Sequence, residues 1–373
     1  MILNKKKVIV AMSGGVDSSV SAVLLKKKGY LVEGLFMNNW YENNNNKYCN
    51  YYKDLLDVKN VCNKIKIKLH TANFSFYYWN NVFIKCIKLY SNGITPNPDI
   101  LCNKEIKFNI FLKFAIKKLG ADFIATGHYV RKYINNNKIF LLKGKDKKKD
   151  QSYFLYTLKK ELNYCLFPLG DFNKKKIRQI AQKLGLINAY KKDSTGICFI
   201  GKRKFSKFIS KYLNNNPGLI ISDKKKKLGM HNGLIYYTLG QRKGIGIGGI
   251  KNLNQNPWYV IEKDIKNNNL IVSQKKQHPK IMSIGMIVKD INWINKKPIV
   301  NSFFCKVKTR YRQNDINCFV KLKNKKTLIV NFNYPIYSVT PGQSAVFYLY
   351  ETCLGGGVIK KIITLSNYKH VIF

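Results

Sequence analysis

The feature that most limits how this chain can fold is an apolar run, residues 7–12, that passes through Ser13-Gly14-Gly15 straight into a helical stretch at 18–28. Consecutive glycines allow a tight turn that residues with a Cβ resist, and a strand delivered into a helix in this way opens a βαβ unit. The alternation then repeats. After Gly29 come a strand-like run at 31–37, helical spacing at 54–66 and another strand-like run at 67–73. Helical periodicity returns at 79–90 and 100–118, with Gly120 placed as a stop, and 121–127 reads as one more buried strand. Such spacing predicts an α/β fold, a doubly wound parallel sheet over residues 1–205, with a hairpin tip inserted at 135–137.

After about residue 205 the pattern changes. One further helical stretch, 205–213, is broken by Pro217-Gly218, and strand-like runs follow at 234–239, 258–262, 270–273, 303–311, 317–323, 327–332 and 345–350. These predict a small β-rich central domain over 206–280 and a C-terminal β-barrel over 281–373. The glycine-rich stretch 244–249 reads as a turn-rich hairpin, because it is embedded in β structure.

Composition narrows the function classes. With 373 residues, 45% of them hydrophobic, the chain can bury a core in each of two or three domains, which excludes global disorder. No run approaches the roughly 20 apolar residues that span a bilayer, so no membrane partner is expected. The basic N-terminus before residues 7–12 has a weak likeness to a signal peptide. The run is short and lacks a cleavage site, so a buried strand and a cytoplasmic location are expected. Nine scattered cysteines, with no C-x-x-C pair, fit neither a disulfide framework nor a zinc site. A net charge of +48 fits a polyanionic partner such as nucleic acid, and equally a genome that favours lysine and asparagine codons. Only six of the 67 basic residues are arginines (Arg131, Arg178, Arg203, Arg242, Arg310 and Arg312), which makes them candidates for contacts that lysine cannot make. The lysine runs at 147–149 and 224–227 read as solvated loops that supply diffuse attraction.

The turn after the first strand carries chemistry. In Ser13-Gly14-Gly15-Val16-Asp17-Ser18 the backbone amides and the helix dipole can face an anion. No Gly-Lys-Ser/Thr follows, and the glycine spacing is not G-x-G-x-x-G. The loop resembles S-G-G-x-D-S, the pyrophosphate loop of the ATP pyrophosphatases. That resemblance implies an ATP-pyrophosphatase domain, ATP as the nucleotide, and Mg²⁺ with Asp17 as a ligand.

Two cysteines stand out by their surroundings. Cys102 follows Asn97-Pro98-Asp99-Ile100-Leu101, where Pro98 presets the backbone and Asp99 can cap a helix beginning there. A thiol near a helix N-terminus, with Lys104 and Lys107 nearby, is placed for a lowered pKa. Cys198 lies between Gly196 and Gly201 in a loop. Taken alone, each reads equally as a small buried hydrophobe.

These two motifs, the Ala11–Ser18 loop, Ala125-Thr126-Gly127-His128-Tyr129, Lys149-Asp150-Gln151-Ser152-Tyr153-Phe154-Leu155, Tyr237–Gly244, Thr309-Arg310-Tyr311 and Pro341-Gly342-Gln343 together resemble the bacterial tRNA-specific 2-thiouridylases, nearly end to end. The resemblance implies Cys102 as nucleophile, Cys198 as persulfide carrier, and Asn97, Pro98 and Asp99 around the target base, with Asp99 as acid or base. It implies ATP contacts from Ala11, Met12, Ser13, Gly14, Gly15, Val16, Asp17 and Ser18, with Met37 and Gly127 framing the adenine at the carboxyl ends of strands. It implies tRNA contacts from His128, Lys149, Asp150, Gln151, Arg310, Tyr311 and Gln343, arginine suiting phosphate and tyrosine an unpaired base.

The reaction so implied is 2-thiolation of a wobble uridine: ATP adenylates the carbon-2 oxygen, then a persulfide delivers sulfur, and AMP and pyrophosphate leave. The implied partners are tRNAs for lysine, glutamate and glutamine, and a persulfide sulfur donor, either a cysteine desulfurase or a relay carrier. Another tRNA thiolase of the pyrophosphate-loop superfamily is one alternative; a decayed tRNA-binding protein is another. The Asn97–Phe108 motif and the β-rich C-terminal half argue against the first, and retention of the loop and both cysteines argues against the second.

Overall fold

The computed structural model describes residues 5–40, 51–193, 205–247, 256–295, 298, 300–324 and 326–368. Cys198, its surrounding loop and the end of the 244–249 stretch lie outside the described residues. The first sheet contains β1 (Lys7–Met12), β2 (Leu31–Asn38), β3 (Leu69–Asn73) and β4 (Phe123–Ala125). A hairpin of β5 (Val130–Asn135) and β6 (Lys138–Lys143) leaves this sheet, and β7 (Cys165–Leu166) returns to it. The order is β3-β2-β1-β4-β7, every pair parallel, as the alternation predicts. Val8, Ile9 and Val10 of the central strand are fully buried because helices cover both faces, which is why this strand reads as an unbroken apolar run.

The helices are α1 (Val16–Lys27), α2 (Tyr51–Ile65), α3 (residues 75–91), α4 (residues 98–119), α5 (Lys174–Lys183) and α6 (Phe205–Ile209). Helix α1 is buried on most sides, and its serines survive there by bonding backward: Ser19 Oγ donates to Gly15 O at 3.0 Å and Ser21 Oγ to Asp17 O at 2.8 Å. Helices α3 and α4 each contain a π-helical stretch, Trp79–Phe83 and Asn103–Phe111, and α4 ends on Gly120 at φ +63°. Expected and observed boundaries of these elements differ by a few residues.

The second sheet is β8 (Gly218–Ser222), β9 (Lys227–His231), β10 (Tyr259–Asp264) and β11 (Asn269–Ser273), in the order β10-β11-β8-β9, with β8 and β11 parallel. The strand expected at 234–239 is instead a 3₁₀ turn, Leu234–Tyr236. Gly233, at φ +147°, donates its N–H to His231 Nδ1 and turns the chain away from the sheet. No strand forms over the described part of 244–249, residues 244–247, so the expected hairpin is not seen there.

The third sheet is a closed antiparallel barrel of β12 (Met282–Trp293), β13 (Ser302–Lys308), β14 (Ile316–Asn324), β15 (Thr327–Tyr337), β16 (Ser344–Leu349) and β17 (Thr352–Thr364), with β12 pairing β17 to close it. Strands β12 and β17 hide in the sequence behind glycines, yet the glycines make closure possible. A Cβ on Gly357 would lie 2.5 Å from Lys289 O, and one on Gly285 would lie 2.7 Å from Val330 O. The β5–β6 hairpin joins this sheet through Thr352↔Leu142 and Cys353↔Leu141, so residues 1–205 contribute to the barrel's sheet as well as their own. One apolar core accordingly holds Ile9 and Ala11 of β1, Cys102 and Phe108 of α4, and Val346 and Tyr348 of β16.

Candidate active site

The Ser13–Ser18 loop stands at the carboxyl end of β1, the central strand of the first sheet. Gly14 adopts φ +73°, and a Cβ there would sit 2.9 Å from Asp54 O; Gly15 is the N-cap of α1. Ser18 Oγ donates to Gly15 O at 3.0 Å and lies 3.3 Å from both Ser13 N and Ser13 Oγ. Asn188 Nδ2 donates to Gly14 O at 3.1 Å and to Ser19 Oγ at 2.9 Å, holding the loop from behind. The side chains of Ala11, Met12 and Val16 are buried, so only their backbone is left to face a ligand. Gly127, beyond β4, packs on the first turn of α1: a Cβ there would lie 3.0 Å from Asp17 Cβ and 3.1 Å from Ser18 N. Met37 closes the end of β2 and packs on the same core as Ala11.

Asp17 is the hub of a charge network. Lys174 Nζ, at the start of α5, donates to both Asp17 carboxylate oxygens at 2.8 Å and reaches Asp193 Oδ1 at 2.7 Å. Tyr129 OH donates to Asp17 Oδ1 at 2.6 Å. Asp193 also meets Lys149 at 2.6 Å and Arg178 at 3.3 Å. Burial alone would raise the Asp193 carboxyl; hydrogen bonds from Lys149 and Lys174, with their charges, overcome it and bring the pKa down to about 2. A second lysine, Lys191, bonds Gly14 O at 3.2 Å, Asp54 at 2.7 Å and Asp57 at 2.6 Å. Two ammonium groups therefore stand at the Ser13–Ser18 turn, each held by carboxylates.

This network bears on Mg²⁺. Both Asp17 oxygens already accept from Lys174, and one also accepts from Tyr129, so in this arrangement Asp17 does not fit a metal ligand. Among the described residues no three His, Cys, Asp or Glu side chains converge on a metal position.

The Asn97–Phe108 motif forms the start of α4. The helix begins at Pro98, so Asn97 rather than Asp99 is its cap, accepting Ile100 N–H at 3.3 Å through Oδ1. Asp99 instead occupies the first turn, where burial raises its carboxyl pKa against an opposing pull from Lys107. Cys102 is buried, one turn into the helix, at the point where the π-helical stretch begins. Asn103 Nδ2 donates to Phe154 O at 3.3 Å, joining α4 to the Lys149–Leu155 segment. His128 is buried beside the Phe108 ring with Nδ1 2.8 Å from Thr126 Oγ1, and burial pushes its pKa well below the usual histidine range. Its imidazole is therefore neutral at physiological pH and has an internal partner.

The expected tRNA contacts divide in two. Asp150 is buried and paired with Lys308 at 3.3 Å, and it accepts Gly144 N–H and Ser152 N–H. Gln151 Oε1 accepts Tyr129 N–H at 3.0 Å, and Gln343 Nε2 donates to Thr95 O and Pro96 O. These three side chains join parts of the protein to each other. Lys149, Arg310 and Tyr311 are only partly buried, and the Tyr311 ring lies 4.5 Å from that of Phe154. Arg310 is steadied by a hydrogen bond to Ser338 O.

Residues 6–202 match the family described as tRNA methyl transferase HUP domain, residues 206–274 its PRC-barrel domain, and residues 283–359 the aminomethyltransferase beta-barrel domain. The tRNA-specific 2-thiouridylase MnmA of Klebsiella pneumoniae subsp. pneumoniae is 55% identical over 98% of this chain and 99% of its own length. The protein of that name from Proteus mirabilis is 56% identical over 96% and 98%, and that from Salmonella typhimurium 55% over 97% and 98%. The chain belongs to the tRNA-specific 2-thiouridylase family.

In this thiouridylase-family chain, sequence reasoning missed Tyr129, Lys174, Asn188, Lys191 and Asp193, all of which bear on the loop. Lys174 opens a run of three lysines in a chain with 67 basic residues, so nothing in the sequence marks it. Tyr129 alone carried a signal, as the residue that follows Gly127-His128 at the end of a predicted strand. Among the described residues no helix is long and apolar enough to cross a membrane.

Proposed function

We propose that this chain is an ATP-dependent tRNA sulfurtransferase that replaces the carbon-2 oxygen of a wobble uridine with sulfur, in tRNAs for lysine, glutamate and glutamine. The observation that carries this reading is identity of 55% along almost the whole chain to a protein named for that activity. The geometry supports it: an anion-binding turn and Cys102 are built onto one core.

ATP lies with its phosphates against Ser13–Ser18 and its adenine between Met37 and Gly127. The uracil carbon-2 oxygen attacks the α-phosphorus, the bond to the β-phosphate oxygen breaks, and pyrophosphate leaves. This turns a poor leaving group into AMP. Lys174 and Lys191 are positioned to meet the negative charge that accumulates on the phosphates. Asn97, Pro98 and Asp99 surround the base. Asp99, raised by burial, is suited to hold and return a proton during the exchange. Mg²⁺ accompanying ATP would be held by the phosphates, where it would offset their charge, and Asp17, already bonded to Lys174 and Tyr129, would not hold it.

Cys198, loaded by a cysteine desulfurase or a relay carrier, presents a persulfide. Its terminal sulfur attacks carbon 2, and AMP departs with the electron pair of the carbon–oxygen bond. The Cys102 thiolate attacks Cys198 Sγ, and the sulfur–sulfur bond of the persulfide breaks with its pair on the transferred sulfur. The base keeps the sulfur, a Cys102–Cys198 disulfide remains, and a dithiol reductant returns both thiols. Lys149, Arg310 and Tyr311 meet the tRNA directly. Asp150, Gln151, His128 and Gln343 act by placing the loops around it.

Labelled persulfide distinguishes the cysteines. Cys198→Ser accepts no labelled sulfur and makes no thiouridine, whereas Cys102→Ser is loaded on Cys198 and does not complete the transfer. Label on Cys102 in the Cys198→Ser protein, with activity retained, would reverse the two roles.

A further inference from the structure

Three backbone carbonyls in the short loop ahead of the Asn97 motif are taken by donors from two other domains. Helix α3 ends at Ser91 with Asn92 as its cap, Gly93 follows at φ +70°, and residues 93–96 lead directly to the cap of α4. Lys263, on β10 of the central sheet, donates its Nζ to Gly93 O and, at 3.0 Å, to Tyr237 O. Thr238 of the central domain places its hydroxyl 3.4 Å from that of Thr95. From the barrel, Gln343 Nε2 donates to Thr95 O at 2.9 Å and Pro96 O at 3.0 Å. Beside it Gly342, φ +89°, lies so close that a Cβ would stand 2.2 Å from Ile94 Cγ2 and 2.8 Å from Thr95 O. The turn carrying both is itself fixed to β17, since Gly342 N donates to Ile359 O at 2.8 Å and Ile359 N to Gln343 O at 2.9 Å. Around these contacts runs a cavity of about 460 Å³ lined by Gly93, Thr95, Lys263 and Pro341.

We propose that Lys263 and Gln343 are positioning residues for sulfur transfer: by holding the 93–96 loop from the central domain and the barrel, they set where Asn97, Asp99 and Cys102 stand. Two features make these contacts specific to position. Donors aimed at carbonyls fix a loop's path without regard to its side chains, and the two side chains reach it from separate domains. The Lys263 ammonium is partly buried, and burial lowers its pKa to about 8, a cost that its two carbonyl partners offset. Gln343 therefore serves the protein's own loop with the amide donors that would otherwise be available to RNA. A displacement of about 1 Å in a reacting group can cost about 100-fold in rate, so a loosened loop is felt in chemistry before it is felt in tRNA binding.

The activity part of this inference rests on the proposed thiolation; the accessibility part does not. Lys263→Met and Gln343→Leu each substitute an apolar side chain and remove the donors. In the full-length protein under reducing conditions, alkylation of Cys102 by iodoacetamide, followed by peptide mapping, is expected to quicken about tenfold in each variant. In thiolation assays kcat is expected to fall about 10- to 100-fold, with KM for tRNA changed less than about twofold. The double variant is expected to be no worse than about the poorer single one, because both release the same loop. Cys102 alkylation at the wild-type rate in both variants overturns the inference. So does a Gln343→Leu protein with normal kcat and raised KM for tRNA, which would return Gln343 to RNA contact. A wild-type protein that makes no thiouridine would sink the proposed function, and alkylation would still decide the loop. Two variants in different domains guard against one that fails to fold.

Discussion

Lys174 carries its charge between Asp17 and Asp193, with only 13% of its side chain exposed, so removing it leaves two carboxylates facing each other across the loop. Lys174→Met is expected to slow pyrophosphate release at least about tenfold while Cys198 still accepts persulfide. The same variant has a signature in acid. Asp193 has a pKa lowered to about 2, so its contribution to stability is complete above the unfolded value of about 3.9 and is lost as pH falls through about 2. Without Lys174 the folded pKa rises, and acid unfolding should begin at a higher pH than in the wild type. Circular dichroism followed from pH 6 to pH 1.5 reads this; coincident transitions would show that Lys174 does not hold Asp193. None of this was visible in the sequence, because a lysine held by two carboxylates looks like the lysines beside it. The loop itself was legible, because a turn of two glycines between an apolar run and a helix has few structural solutions. Asp99 shows the intermediate case: the motif marked it, yet its place at the cap was taken by Asn97 once the helix began at Pro98.

Among elements, the junction of β4 with α1 decides whether the loop keeps its shape. Gly127 lets the strand end pack on Asp17 and Ser18, where a Cβ would be tighter than ordinary contact by a few tenths of an ångström. Gly127→Ala is expected to weaken ATP binding about tenfold and cost about 1–3 kcal/mol of stability, typical of a small overpacked contact. Titration calorimetry with ATP checks it; unchanged affinity would mean that the loop moves freely of β4. The elements most legible in the sequence are those with both faces covered and a clear period, β1 and β2 above all. The least legible broke a rule for a structural reason. Strands β12 and β17 carry glycines where a side chain would block closure of the barrel, and the expected strand at 234–239 was turned aside by Gly233. The π-helical stretches in α3 and α4 lie in helices whose existence, but not whose change of pitch, the spacing foretold.

At the scale of the whole molecule, the three sheets are joined into one catalytic body. The β5–β6 hairpin extends the barrel's sheet, Asp150 is paired with Lys308 inside the junction, and the 93–96 loop is held from both accessory domains. The motif residues carry internal hydrogen bonds accordingly: Asn103 ties α4 to Phe154, Gln151 ties its segment to Tyr129, and Gln343 ties the barrel to the 93–96 loop. In the proposed function a net charge of +48 would add attraction for tRNA without placing it. The central claim, sulfur on carbon 2 of a wobble uridine, is tested most directly by mass spectrometry of nucleosides from an unmodified lysine, glutamate or glutamine tRNA. The full-length protein is incubated with that tRNA, ATP, Mg²⁺, a persulfide donor and a dithiol reductant. The account predicts 2-thiouridine at the wobble position, dependent on ATP and lost in Cys198→Ser. Sulfur at carbon 4, or at another position in the tRNA, or none in the wild-type reaction, would contradict it.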